Sequence, residues 1–306
     1  MNKIKQEDYS LNLVVITANT AGGALQPERN YYKLGENIAK FSPDFIFLQE
    51  LVIFKKKARI IKNSIEELKK RKLINYHSIF EVVVDNFKNP CPPIVPGTDG
   101  KPGKWFKQQF SPYTYAAQGN GFLINSKWKY SKVAKEVISN FGSSFLGNHE
   151  TEPRCLITVK VKHPSISKEI LLACTHLTPL KDEERDKQRA EIASRVRQQQ
   201  VNKICDILDK ERDRVPIILA GDFNAIVGSE ELNLFSRSGF ECITKLCSDK
   251  EKSTGTHCRT RRFIDHIWIR SQQNLVANEC GLIKADLTDE TDHRPVWARI
   301  NFENHC

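Results

Sequence analysis

The chain has 306 residues, of which 40% are apolar, with 47 basic and 37 acidic side chains and a formal net charge of +10. This supports a sizeable core, and the longest apolar runs, Leu13 to Ile16 and Ile170 to Cys174, are too short to span a bilayer. The basic surplus favours a polyanionic partner, nucleic acid or an anionic lipid surface.

The first residues lead directly into a strand-like run, with no basic segment, apolar stretch and small-residue cleavage site in succession, so a cytoplasmic location is expected. Leu11 to Ala18 reads as a core strand, followed by a turn at Asn19-Thr20-Ala21-Gly22-Gly23. Tyr31, Leu34, Ile38 and Phe41 share a helical face, and Pro43 ends that helix. Asp44 to Gln49 reads as a second buried strand ending at Glu50. Lys55 to Lys72 reads as a basic amphipathic helix with Ile61, Ile65 and Leu68 inward. Residues 85–118 mix prolines, glycines, lysines and aromatics such as Trp105, Phe110 and Tyr113, as a long functional loop does. Strand-like runs follow at 121–126, 155–161 and 169–175, then a long charged helix over 181–213. The remainder reads as a strand at 215–220, a short helix after Ser229, a basic loop at 249–262, and strands at 263–270 and 295–301. Neither a linker nor an internal repeat divides the chain, so a single α/β domain over 1–306 is expected.

The 9 cysteines are odd in number and irregularly spaced, which does not suggest a disulfide framework. Cys242, Cys247, His257 and Cys258 lack the short paired spacing of a zinc site.

Polar residues suited to metal or phosphate chemistry instead recur at the ends of the strand-like runs. Asn19 closes the first run and Glu50 the second. His176 follows Leu-Leu-Ala-Cys-Thr, and Asp222 and Asn224 follow Ile-Ile-Leu-Ala-Gly. Asp265 lies in Arg-Phe-Ile-Asp-His-Ile-Trp-Ile, and Asp292 and His293 precede Arg-Pro-Val. Strand ends along one sheet edge are rigid and can converge on a site. Carboxylates and amides are hard oxygen ligands suited to Mg²⁺ or Mn²⁺. A carboxylate can orient or deprotonate water, and a histidine can assist the leaving group. The i, i+2 spacing of Asp222 and Asn224 would point both side chains the same way on an extended segment. His266 and Trp268 flank Asp265 and read as packing residues.

Phe-Leu-Gln-Glu (47–50), Thr-His-Leu (175–177), Gly-Asp-Phe-Asn-Ala (221–225), Ile-Asp-His-Ile (264–267) and Thr-Asp-His-Arg-Pro-Val (291–296) together resemble the signature set of the endonuclease/exonuclease/phosphatase superfamily. The resemblance runs from residue 11 to about 300 in the family's order. It implies a four-layered α/β sandwich of two mixed β-sheets flanked by helices. It also implies a metal-dependent phosphodiesterase in which Glu50, Asn19 and Asp292 serve the metal, Asp222 orients the water and Asn224 binds phosphate. Asp265 and His293 resemble the family's carboxylate–imidazole pair. His176 resembles a histidine of the deoxyribonuclease I, sphingomyelinase and inositol-phosphatase branches and argues against an exonuclease III-like repair enzyme. Arg154 resembles an arginine that contacts substrate phosphate, an ion pair with Glu152 being the alternative. Where the inositol-phosphatase branch carries Trp-Cys-Asp-Arg, this chain has Phe-Ile-Asp-His. Lys55 to Lys57, Arg259, Arg261 and Arg262 favour a nuclease acting on DNA or RNA; a phospholipid or small phosphodiester is the alternative substrate.

Overall fold

A computed structural model describes residues 10–20, 30–56, 59–85, 115–139, 153–166, 168–179, 183–212, 214–271, 275–287 and 289–303. Its first sheet contains β1 (Ser10–Asn19), β2 (Phe45–Lys56), β3 (Arg59–Asn63), β4 (Tyr76–Asp85), β5 (Tyr115–Asn125), β12 (Leu275–Leu282) and β13 (Val296–Glu303). They run in the order β12-β13-β1-β2-β5-β4, with β3 paired to β2. The second contains β6 (Lys129–Ser139), β7 (Arg154–Lys162), β8 (Ile170–His176), β9 (Ile217–Asp222), β10 (Glu241–Cys242) and β11 (Asp265–Arg270), in the order β10-β11-β9-β8-β7-β6. Both sheets are mixed: β1–β2 and β8–β9 are parallel, and the other pairs are antiparallel.

Side-chain alternation explains the layering. On β1, Leu13 and Val15 enter the core between the sheets, where Phe47 and Phe122 meet Ile157, Leu172, Ile218 and Ile267. The alternate residues Ile16 and Ala18 face outward onto Leu34 and Ile38 of α1 (Tyr31–Ala39) and Leu68 of α2 (Ser64–Lys69). The outer face of the second sheet buries Leu219 and Trp268 under Val201, Ile204 and Leu208 of α3 (Lys187–Asp209) and Phe235 of α4 (Glu230–Arg237). Helix, sheet, sheet and helix therefore stack as four layers around apolar strands covered on both faces. None of the described helices is long and apolar enough to cross a membrane.

The expected helix over 55–72 is largely absent. β2 continues to Lys56 and turns back through β3, leaving α2 only six residues. β3 pairs with the end of β2, which is itself bonded to β5 on its other side, so sheet pairing overrides the helical spacing of residues 59–63. The long charged helix is shorter than expected, starting at the Asp186 cap, whose carboxylate accepts from the Gln188 and Arg189 amides. The basic loop at 249–262 contains α5 (Asp249–Thr254), opened by a reciprocal Ser248–Glu251 capping box. The expected loop at 85–118 overlaps β4 and β5 at its ends, and its interior, 86–114, lies outside the described residues, as do Ala21 to Gly23.

Candidate active site

The sheets bring their strand ends to one place. Pairing sets His176 opposite Asp222 across parallel β8 and β9, and Asp222 opposite Asp265 across antiparallel β9 and β11. These three residues thus form a row over adjacent strands. The neighbouring end of the first sheet contributes Asn19 and Glu50. Asn19 Nδ2 donates to Glu50 Oε1 at 3.1 Å and to Asp222 Oδ2 at 3.0 Å, joining the sheets through one amide.

Local backbone irregularities aim the side chains. The β2–β5 register shifts between Leu48 and Leu51, and within that bulge Glu50 takes φ 54°. Such a conformation is uncommon for a residue with a Cβ and re-aims the side chain. Thr20 secures the bulge: its hydroxyl donates to the carbonyls of Gln49 and Glu50. Gly221 is required by close approach, since a Cβ there would lie 1.9 Å from the Thr175 carbonyl oxygen. Asn224 is not extended: φ is 51°, and its amide N–H donates to Asp222 Oδ1 at 2.9 Å. The tight turn, not the i, i+2 alternation, places Asn224, and its Nδ2 donates to the Leu177 carbonyl.

The expected Asp265–His293 contact is present: His293 Nδ1 donates to Asp265 Oδ2 at 2.8 Å. Its Nε2 lies 3.9 Å from Asp222 Oδ2. Burial opposes the imidazolium, but Asp265, Asp222 and Asp292 outweigh it and hold the His293 pKa well above its ordinary value. Burial and then the Asp265 charge push Asp222 up to about 7. His176 differs. Arg154 Nη1 lies 3.1 Å from His176 Nδ1, and a guanidinium can only donate. His176 Nδ1 is therefore an acceptor and its proton sits on Nε2, 3.6 Å from Asp222 Oδ2 and 3.9 Å from Glu50 Oε1. Burial, Arg154 and His293 together depress the His176 pKa well below normal, so this imidazole is neutral.

Arg154, Asn120 and His176 line a small, partly open cleft with Gln118, Gly119, Val83 and Cys155. Asn120 was not among the residues read from the sequence. Its only signal there is a polar residue between the glycines of Gly119-Asn120-Gly121. Thr291 and Thr256 were also missed: Thr291 Oγ1 donates to the Asn19 carbonyl, and Thr256 Oγ1 accepts from the Ile264 and Asp265 amides. Asp292 is half-buried beside His293. His266 and Trp268 are buried, and His266 is tied to Thr244 and the Ala225 carbonyl, as packing residues are.

Among the described residues, Asp222, Asp265 and His293 form the group whose potential ligand atoms lie mutually within 4.8 Å, and it could hold a metal ion. Glu50 adds a hard carboxylate oxygen near Asp222, the two carboxylates being bridged by the Asn19 amide nitrogen. The cysteines around Cys242 and Cys247 make no comparable group among the described residues.

Two mixed sheets packed between helices, with carboxylates and imidazoles gathered where their strand ends meet, define a hydrolase of the α/β-sandwich class. A profile of the Endonuclease/Exonuclease/phosphatase family matches residues 16–293, and the chain belongs to that family, which includes nucleases and phosphatases and is generally divalent-metal dependent. No curated protein matches the sequence. Among solved structures, the human Nocturnin catalytic domain with bound sulfate is 18% identical, with 96% of this chain and 97% of that chain covered and a TM-score of 0.62. The D. rerio TDP2 complex with single-strand DNA product is 16% identical, covering 94% of this chain and 98% of that one, at a TM-score of 0.61. A mannosyl-6-phosphatase from Bacteroides thetaiotaomicron is 15% identical, covering 94% and 99%, at 0.63.

Proposed function

We propose that the protein is a Mg²⁺- or Mn²⁺-dependent phosphodiesterase acting on DNA or RNA, with one catalytic unit spanning the chain. The observation that carries the chemistry is the row His176–Asp222–Asp265, completed by His293 on one side and by Asn19 and Glu50 on the other.

Asp222 is held at both oxygens, by the Asn224 amide and by Asn19. A carboxylate pushed to about 7 can take a proton from an attacking water near neutral pH, the usual requirement for a general base. His293, charged and braced by Asp265, offers its Nε2 proton to a phosphoryl oxygen or leaving group. Neutral His176 offers its Nε2 proton from the opposite side of Asp222, and Arg154 keeps that tautomer while lining the cleft. Asn224 and Arg154 are the proposed phosphate contacts.

Glu50, Asn19 and Asp292 are the proposed metal residues. His293 is already committed as a charged partner of Asp265, which makes a carboxylate oxygen such as that of Glu50 the better-fitting ligand for a hard cation. A bound divalent ion supplies neutralisation of the phosphate charge.

The net charge of +10 supports a nucleic-acid substrate, as do exposed Arg259 and Arg261. TDP2, of the same fold, is seen with a DNA product. The seven free cysteines among the described residues suit a reducing compartment, and the cytoplasm is the proposed location.

The test is a panel of plasmid DNA, single-stranded DNA, RNA, sphingomyelin vesicles and a sugar phosphate, with Mg²⁺ or Mn²⁺ and with EDTA. Cleavage of nucleic acid that stops in EDTA, with binding that weakens steeply with salt, is expected. Turnover confined to sphingomyelin or the sugar phosphate would refute the nuclease assignment, and full activity in chelator would refute the metal.

A further inference from the structure

Behind the catalytic turn lies a chain of buried ion pairs. Arg262 Nη1 donates to Glu183 Oε1 at 2.6 Å, and its Nη2 donates to the Asn224 carbonyl at 3.1 Å. The second Glu183 oxygen accepts from Arg197 Nη1 at 2.8 Å, and Arg197 Nε donates to Glu231 Oε1 at 2.9 Å. Arg197 Nη1 also reaches the Thr178 carbonyl at 3.3 Å. Gln200, on the same helix, accepts from the Thr178 amide and donates to its hydroxyl. The side chains of Glu183, Arg197 and Glu231 are at most 5% exposed, and that of Arg262 is 25% exposed.

The chain is anchored on α3 by Arg197 and on α4 by Glu231. It ends on two backbone segments: Thr178, which follows His176, and Asn224, which follows Asp222. Those segments are themselves tied, through Leu177 N–H to the Asp222 carbonyl and Asn224 Nδ2 to the Leu177 carbonyl. Asn224 holds an uncommon positive φ, a conformation that persists where surroundings fix it. A planar guanidinium with two parallel donors fixes direction as well as distance, which an ammonium does not.

We propose that Arg262 is a positioning residue: it holds the Asp222–Asn224 turn, through the Asn224 carbonyl and Glu183, in the geometry the reaction needs. This reassigns a side chain whose charge, read in sequence, favoured substrate binding. The proposal rests on the reading of Asp222 as the reactive carboxylate.

The test compares Arg262→Met, Arg262→Lys and Glu183→Gln with the wild type, using bis(4-nitrophenyl) phosphate and Mg²⁺ or Mn²⁺. Hydrogen–deuterium exchange is measured in parallel and needs no turnover. Arg262→Met should lower kcat by about 10- to 100-fold, the scale of a misplaced catalytic group, with KM within about twofold. Exchange should rise at 177–178 and 222–225 while β1 and β13 stay protected. Arg262→Lys should fall between Met and wild type, since it keeps the charge near Glu183 without the second donor arm. Unchanged kcat and exchange would overturn the proposal. So would a raised KM with unchanged kcat, which marks a substrate contact, or a uniform rise in exchange over both sheets, which marks general destabilisation. If Arg262→Met does not fold, Arg262→Lys and Glu183→Gln carry the same comparison. A wild type that hydrolyses no phosphodiester refutes the phosphodiesterase reading, and the exchange pattern still decides the positioning.

Discussion

Replacing His293 by alanine should separate catalysis from stability in a way set by the burial of its partner. His293 is 6% exposed and Asp265 only 1%. Asp265 Oδ1 has no hydrogen-bond partner among the described residues, so loss of the imidazole removes the bond to Oδ2 and leaves a buried carboxylate unpaired there. Breaking a buried charge pair costs roughly 3–5 kcal/mol. Removing a positioned acid–base group lowers turnover by roughly 10²-fold or more, equivalent to about 2.7 kcal/mol of barrier. Asp265→Asn should also lower kcat, because an amide can hold the imidazole in the wrong tautomer. The double variant gives opposite signs in two assays. Its kcat should be little worse than that of His293→Ala, since the two residues act as a unit. Its urea midpoint should recover part of the His293→Ala loss, since the unpaired carboxylate is gone. Steady-state rates taken well below each melting temperature, with chemical denaturation in parallel, check both. Multiplicative kcat losses, or a His293→Ala protein as stable as wild type, would refute the reasoning.

Three further outcomes follow from the same geometry. Gly221→Ala should cost about 1–3 kcal/mol in denaturant unfolding, the usual scale of overpacking, because its Cβ would meet the Thr175 carbonyl; a neutral change would show that β8 and β9 can separate freely. Asp222, raised from its ordinary 3.8 to about 7, binds more protons folded than unfolded, so its contribution to metal-free stability falls as pH rises through that window. Asp222→Asn should therefore raise the metal-free melting temperature at pH 8 while abolishing turnover, and wild-type kcat should show an acid limb near pH 7; an unraised melting temperature would count against a desolvated carboxylate. Nitrogen NMR should find His176 neutral at pH 6 with the proton on Nε2, and a protonated ring there would remove the Arg154 constraint.

Much of the candidate site was legible because its residues belong to short strings at strand ends. Ile-Ile-Leu-Ala-Gly-Asp announces a buried strand that stops on a carboxylate, and β9 ends on Asp222. Leu-Leu-Ala-Cys-Thr-His does the same for β8 and His176. Apolar runs are readable because burial demands them locally. Edge strands carry no such demand: β6 is largely exposed, its composition is Lys-rich, and nothing in its periodicity marked it as a strand. The Lys55 to Lys72 segment failed for the opposite reason, since its spacing satisfies a helix but pairing of β3 with β2 overrides it.

The sequence alone determined which residue types were available for chemistry, that apolar runs would carry them, and that the charge balance would favour an anionic partner. Tertiary structure decided what each of them touches. The roles of Arg154 and Arg262 differ although both are arginines near polar strings. One fixes the tautomer of His176, and the other spends both arms on Glu183 and the Asn224 backbone. The Asp222 carboxyl departs from ordinary behaviour because the packed sheets bury it beside Asp265, 43 residues away along the chain, an effect that the Asn19 amide at 3.0 Å only partly offsets. Charge, burial and hydrogen bonding act over a few ångströms of space, and distance along the chain does not encode them.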